Sequence, residues 1–120
     1  MTTNNVQGDK AETRALLHLQ ERGLTMIERN FHSRQGEIDL VMLDAGNLVF
    51  VEVRLRNNAV FGSAAESVTR KKQLRVIQAA RHFLQQRAQW ANYACRFDVI
   101  AISDKPEPRI DWIKDAFQPA

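Results

Sequence analysis

Hydrophobic residues recur at helical spacing in the first part of the chain and at strand spacing directly after it. Between Gly8 and Arg22 the apolar positions follow steps of three and four residues, which predicts an amphipathic helix that Gly23 ends. The apolar positions of this stripe are Ala11, Ala15, Leu16 and Leu19. From Leu24 to Phe31 apolar and polar residues mix as they do in an edge strand, so we expect a first strand there.

Two further apolar runs surround a short turn and predict a β-hairpin. The first extends from Gly36 to Leu43, and the second extends from Leu48 to Arg54. If the turn is centred on Ala45 and Gly46, Leu43 lies opposite Leu48 in an antiparallel pair. All other pairings of the two strands then follow from this register.

The second half of the chain predicts a longer helix and one or two more strands. A capping-box pattern begins at Ser63, and an apolar stripe continues the helix to about Ala88. Arg96 to Ile102 is almost continuously apolar, as in a buried strand that runs parallel to its neighbour after a helical crossover. Arg109 to Ile113 predicts a last, short strand. The elements imply an α/β fold in the order αβββαβ, with a central mixed sheet of four to five strands flanked by helices.

Length and composition favour one domain and exclude several classes of protein. A chain of 120 residues has room for one core, which we assign to residues 8–117, with flexible tails at 1–7 and 118–120. No secretion signal or membrane-spanning run is visible. A single cysteine, Cys95, excludes an internal disulfide, so we expect a cytoplasmic protein with this thiol buried as a small apolar group. The formal net charge of +3 permits a polyanionic partner without requiring one.

The predicted hairpin carries charged side chains where a sheet is usually apolar. Its register places Asp39 opposite Glu52 and Glu37 opposite Arg54, all on one face. Like charges at opposed positions destabilise a sheet, so a shared proton, the Arg54 guanidinium or a divalent metal must offset the repulsion. A surface patch with a Glu37 to Arg54 salt bridge is the other interpretation, but it leaves the opposed acids unexplained. Glu12, on the apolar stripe of the first helix, either joins this site or interacts with the helix dipole.

A basic cluster lies on the second helix. Its members are Arg70, Lys71, Lys72 and Arg75. Cations near the beginning of a helix oppose its dipole, so they make better sense if phosphate groups dock there. If the helix instead begins at Ser63, the cluster lies in mid-helix on a solvated face. The sequence leaves both interpretations open.

Several segments carry a resemblance to a known family. They are Glu12, Arg29 to Phe31, Gly36 to Leu40, Phe50 to Arg54, Arg70 to Gln73, Arg96 to Ile100 and Trp112 to Phe117. Together they resemble the YraN family of small uncharacterised bacterial proteins over nearly the whole chain. That family is similar to the restriction-endonuclease-like nucleases, and in particular to archaeal Holliday-junction resolvases. The resemblance implies a restriction-endonuclease-like fold, DNA as a partner and a homodimer.

The resemblance also implies roles for individual residues. Asp39 and Glu52 would be ligands of Mg²⁺ or Mn²⁺, Glu12 would be a supporting acid, and Arg54 would occupy the position of a lysine. Because a guanidinium keeps its proton, Arg54 cannot serve as a proton acceptor. A metal-bound water would not require one.

The leading hypothesis is a Mg²⁺-dependent DNA endonuclease, or a nuclease relative, that acts on branched or processed DNA. Its catalytic residues would be Asp39, Glu52, Arg54 and Glu12. The basic cluster would grip the phosphates. A catalytically inactive nucleic-acid-binding module and a protein-protein adaptor on the same fold are the alternatives.

Overall fold

A computed structural model describes residues 6–56 and 67–119, and it contains the predicted elements in the predicted order. The elements are α1 (Val6–Glu21), β1 (Thr25–Ser33), β2 (Gly36–Asp44), β3 (Asn47–Arg56), α2 (Arg70–Gln86), a short 3-10 helix (Ala88–Trp90), β4 (Ala94–Ser103) and β5 (Arg109–Phe117). The last strand is longer than predicted, and α1 begins two residues before the expected start at Gly8. Within these described residues, neither helix is long and apolar enough to cross a membrane.

The five strands form one mixed sheet in the order β1-β2-β3-β4-β5. β3 and β4 are parallel because α2 lies between them in the chain, whereas the other neighbouring pairs are antiparallel. β1 is an edge strand, as the mixed pattern from Leu24 to Phe31 predicted. The α/β fold of the restriction-endonuclease-like type is therefore confirmed in its element order and in its mixed sheet.

The two helices cover opposite faces of the sheet. α1 packs through Ala11, Ala15 and Leu19 on a cluster that includes the alternating β3 residues Val49 and Val51. The intervening β3 positions face the other cluster, which contains the following residues of β3 and α2: Leu48, Phe50, Val76, Ile77, Ala79, Ala80 and Phe83. Because side chains alternate along a strand, this pattern also directs Glu52 toward the α2 face.

The β2-β3 register is the predicted one. Leu43 pairs with Leu48, and the pairs continue to Leu40 and Val51. The next position of this register would set Asp39 opposite Glu52, and here the regular pairing ends. Beyond this point the two strands follow different paths.

The regular alternation of side chains between the two faces of the sheet is interrupted at Asn30 of β1 and at Asp39 of β2. Asn30 has a φ of 58°, in the left-handed region that Asn tolerates better than most residues. Arg29 and Phe31 consequently point to opposite sides, since Arg29 contacts α1 and Phe31 packs in the α2 cluster. On β2, Ile38 packs on the α2 side and the nearby Leu40 on the α1 side. Asp39 therefore lies at the bend between them.

The start of α2 differs from the prediction. The helix begins at Arg70, and the hydroxyl of Thr69 accepts a hydrogen bond from the Lys72 amide at 3.2 Å, so Thr69 is the N-cap. The capping box at residues 63–66 lies outside the described residues. The basic cluster thus occupies the first turns of the helix, and the interpretation that it lies in mid-helix was wrong.

Cys95 was also predicted wrongly. Its side chain is exposed rather than buried, as is the preceding residue, Ala94, at the beginning of β4. The buried part of β4 begins only at Phe97.

Candidate metal and nucleic-acid site

Carboxylates from three elements meet in one cavity of about 300 Å³ at the point where β2 bends away from β3. Glu12 comes from α1, Glu37 and Asp39 from β2, and Glu52 from β3, and Lys72 of α2 completes the lining. The cavity also contacts the beginning of α1, and Lys72 lies in the first turn of α2. Both helix N-termini therefore contribute partial positive charge near the carboxylates.

Asp39 is held in place by the backbone of the neighbouring strand. Its Oδ2 accepts a hydrogen bond of 2.8 Å from the Val53 amide, which lies beyond the end of the regular β2-β3 pairing. Burial and the negative charge of Glu52 raise the pKa of Asp39 to about 7, although Val53 and Lys72 act in the opposite direction. This carboxyl group therefore takes up a proton near neutral pH.

Glu52 is buried without enough hydrogen-bond donors. The residue is 3% exposed, and its Oε1 has no hydrogen-bond partner among the described residues. Its Oε2 lies 3.7 Å from Lys72 Nζ and 3.9 Å from Arg54 Nη1. Burial raises the pKa of Glu52, whereas Lys72, Arg54 and hydrogen bonding with the Asp39 carboxyl lower it. An unpaired buried oxygen of this kind is costly unless a ligand or ion contacts it.

Glu12 is fixed by two residues of the bend in β1. Arg29 Nε lies 3.3 Å from Glu12 Oε1. When the Asn30 amide is oriented with its nitrogen toward the carboxylate, it donates to both oxygens at 3.2 and 3.0 Å. Burial and the charge of Asp39 raise the pKa of Glu12, against the effect of Arg29. Glu12 is thus positioned beside Asp39 and is not simply a first-turn acid.

Arg54 interacts with Glu52 and not with Glu37. Among the described residues Glu37 forms no ion pair with Arg54, so the alternative salt bridge across the hairpin is wrong. The guanidinium is also about two-fifths exposed, with 39% of its side chain accessible. Arg54 therefore contacts Glu52 but is not one of the residues that line the cavity.

Lys72 is the site residue that the sequence interpretation missed. It was assigned to the phosphate-binding cluster, but its ammonium lies inside the carboxylate cavity. The available signal was its spacing, because Lys72 lies four residues before Val76, which is buried on the same helix. The cation is therefore on the buried stripe of α2.

The other members of the basic cluster point elsewhere. Arg70 donates to the main-chain oxygens of Gln118 at 3.0 Å and Pro119 at 3.3 Å, which fastens the end of the chain to α2. Lys71 and Arg75 are exposed. The proposed grip of this cluster on phosphates stays a prediction.

The donor set fits a divalent cation held by two carboxylates. Asp39 and Glu52 supply hard oxygen atoms, which Mg²⁺ and Mn²⁺ prefer, and no residue in the described part of the chain donates to Glu52 Oε1. In the described part of the chain no three His, Cys, Asp or Glu side chains are arranged as a metal cluster. Because Mg²⁺ keeps several waters and is usually bound through one or two carboxylates, a site of this size is compatible with it.

Comparison with known proteins places the chain in a family. The model of the uncharacterised protein family UPF0102 matches residues 11–102. A UPF0102 protein of Ectopseudomonas mendocina is 48% identical over 117 residues, covering 98% of both chains. One from Saccharophagus degradans is 50% identical over 117 residues, covering 98% of this chain and 97% of its own. One from Nitrosococcus oceani is 48% identical and covers 97% of this chain and 94% of its own. The chain therefore belongs to the uncharacterised protein family UPF0102.

Proposed function

We propose that the protein binds DNA and cleaves its phosphodiester backbone with Mg²⁺ at the carboxylate cavity, acting on branched or processed DNA. The observation that carries the proposal is the buried pair of Asp39 and Glu52, in which Glu52 Oε1 has no hydrogen-bond donor within residues 6–56 and 67–119. A carboxylate with only a structural role is normally satisfied by donors, whereas a ligand of a metal ion keeps an oxygen available.

The contacts of each residue indicate its role in the proposed reaction. Asp39 and Glu52 would hold the ion, and the Val53 amide fixes the orientation of the Asp39 carboxylate. When bound, Mg²⁺ supplies a Lewis acid and lowers the pKa of a bound water. Lys72 contacts Glu52 and places a cation where a phosphate group would carry negative charge.

Glu12 and Arg54 have supporting roles. Arg29 and Asn30 hold Glu12 beside Asp39, where the acid can interact with water in the cavity. Arg54, which contacts Glu52 and is partly exposed, can donate to a phosphate oxygen but cannot accept a proton. Lys72 thus supplies the site with the ammonium that the β3 segment lacks.

A cleavage assay tests the proposal. Branched and linear DNA are incubated with the purified protein and with Mg²⁺, Mn²⁺ or EDTA. We expect metal-dependent cutting by the parent, and a loss of at least about 100-fold for Asp39→Asn and for Glu52→Gln, because each substitution removes an anionic metal ligand.

Glu107→Gln provides the control, since it removes a carboxylate from an exposed loop. Its activity should equal that of the parent. Binding of DNA by the parent without metal-dependent cutting would reject hydrolysis, and cutting that survives both site substitutions would identify a contaminating nuclease.

The second candidate is a nucleic-acid-binding module that does not cleave. The presence of Arg54 instead of a proton-accepting side chain on β3 favours it. Such a module would still show affinity that falls as salt rises, whereas a protein adaptor would show no DNA affinity. A resolvase-like action on a branched substrate with two-fold symmetry would also require a homodimer, which would act in the cytoplasm. Sedimentation with and without branched DNA would detect the dimer.

A further inference from the structure

A second cavity lies beside the carboxylate cavity and has the opposite charge. It measures about 540 Å³, and we call it the basic pocket. Its charged lining residues are Lys10, Arg14, Arg56, Lys105 and Asp104. Four cations thus face one carboxylate, whereas the carboxylate cavity has four acids, at positions 12, 37, 39 and 52, and the single cation Lys72.

The two cavities share a wall. Gln7, Ala11 and Leu55 line both of them. Ala11 directly precedes Glu12 in α1, and Leu55 directly follows Arg54 in β3. The basic pocket therefore continues the carboxylate cavity along the same two elements, and the pair forms one groove that is acidic at one end and basic at the other.

Three cations of the basic pocket, Lys10, Arg14 and Lys105, make few polar contacts with the described residues. Arg14 Nη1 contacts Asp104 Oδ1 at 2.9 Å, but the side chains remain 36% and 63% exposed. Lys10 and Lys105 are exposed and form no ion pair with any described residue. These positions contribute little to packing, so their charge is available to a ligand.

The charge distribution identifies the kind of ligand. A polyanion that approached the carboxylate cavity alone would be repelled by its acids, so it needs a positive surface directly beside them. A nucleic-acid strand carries one phosphate for about every 3.4 Å of helix axis, so neighbouring phosphates of one strand can lie in adjoining pockets.

We propose that the basic pocket binds backbone phosphates of the nucleic-acid strand whose neighbouring phosphodiester lies in the carboxylate cavity. This inference rests on the proposed function and specifies how the substrate strand is held. Lys10 and Lys105 are its exposed contacts, and Arg14 is its inner contact. The recognition is of phosphate and not of base, so it is independent of sequence.

Direct binding in EDTA tests this inference separately from cleavage. The affinity of the full chain for labelled linear and branched DNA is measured by fluorescence anisotropy at several salt concentrations. The variant is Lys10→Ala combined with Lys105→Ala. We expect the Kd to rise by about tenfold or more and the slope of log K against log salt to fall in magnitude by up to about 1.8, because two phosphate contacts are lost.

The matched control is Arg22→Ala combined with Arg81→Ala. It removes the same charge from the exposed turn directly after α1 and from an exposed position of α2. This control should bind DNA nearly as the parent does. Melting temperatures of all three proteins establish that the exposed substitutions leave folding intact.

The outcomes separate this inference from the proposed cleavage. Equal affinity of the two double variants, or a parent that does not bind DNA in EDTA, would overturn the basic pocket as the phosphate site. Weaker DNA binding by the Lys10→Ala and Lys105→Ala double variant alone would support the basic pocket as the phosphate site, even if no cutting is seen. Cutting that depends on Asp39 while the two double variants bind equally would retain the cleavage proposal and reject this one.

Discussion

Two buried carboxylates on neighbouring strands differ completely in how they are satisfied. Asp98 on β4 is fully buried, and both of its oxygens accept hydrogen bonds. Arg96 Nε donates at 3.0 Å and Trp112 Nε1 at 2.9 Å. The Asp115 amide donates at 2.9 Å as well. Glu52 on β3 is almost as buried, yet its Oε1 has no hydrogen-bond donor among the described residues.

The difference separates a structural acid from a candidate binding site. The Asp98 network joins β4 to β5 at a bulge in their pairing, and Arg96 extends it to Asp44 on β2 at 2.9 Å. Both carboxylate oxygens of Asp98 are therefore satisfied by donors within the protein. The pair of Asp39 and Glu52 is completed only by a proton or by a ligand, which is the property expected of a functional site.

The largest expected effect is the loss of stability in Asp98→Ala. The substitution leaves the Arg96 guanidinium without its main acceptor, and the N–H groups of Trp112 and Asp115 lose their part-buried hydrogen bonds. We expect the free energy of unfolding to fall by about 3–5 kcal/mol, as for other broken buried charge pairs. Urea denaturation measures the change. The exposed Asp104→Ala should cost less than about 1 kcal/mol, and an equal loss in the two variants would contradict the contrast.

Asp39→Asn is expected to raise the stability of the protein at alkaline pH, whereas Asp98→Ala lowers it. The pKa of Asp39 is raised from 3.8 to about 7, so the folded protein binds a proton more tightly than the unfolded chain. Stability therefore falls as pH rises from about 4 to about 7 and stays lower above it. Asparagine lacks this penalty and keeps an oxygen for the Val53 amide.

We expect Asp39→Asn to be about 1–3 kcal/mol more stable than the parent at pH 8, and the gain to shrink toward pH 4. Thermal unfolding of both proteins across this range measures it. A variant less stable than the parent at pH 8 would indicate that the carboxylate pair is already neutralised by the protein itself.

The smallest expected effect is a shift in the pKa of Asp39 in Lys72→Met. Lys72 lowers the pKa values of Asp39 and Glu52, so its removal should move the pKa of Asp39 above about 7. Carbon-detected NMR titration of the carboxyl groups would follow this shift. Lys71→Met changes the neighbouring exposed cation and should leave the titration unchanged. Identical curves for the two variants would remove Lys72 from the site.

The sequence predicted the fold well because its patterns are local. The hairpin turn determined the register that pairs Leu43 with Leu48, and this register continues to Leu40 and Val51, directly before Asp39 and Glu52. The apolar run from Arg96 to Ile102 predicted a buried parallel strand. Element order and sheet composition followed from these signals.

Contacts between distant segments were less visible in the sequence. Lys72 was grouped with the basic cluster at the beginning of α2, so its partly buried position in the carboxylate cavity was missed. The Asp98 network depends on the bulge between β4 and β5 and on Asp115, whose φ is 54°. Periodicity cannot predict such irregular backbone, which is also why the bend at Asn30 was not predicted.

Metal binding to the unsatisfied carboxylates is the most direct test of the account. Mn²⁺ is titrated into the parent and into Asp39→Asn at pH 8 and at pH 5 by isothermal calorimetry. We expect saturable binding to the parent at pH 8, weaker binding at pH 5 because protons compete for Asp39, and none to the variant. No binding to the parent at pH 8, or equal binding to the variant, would contradict a metal site at Asp39 and Glu52.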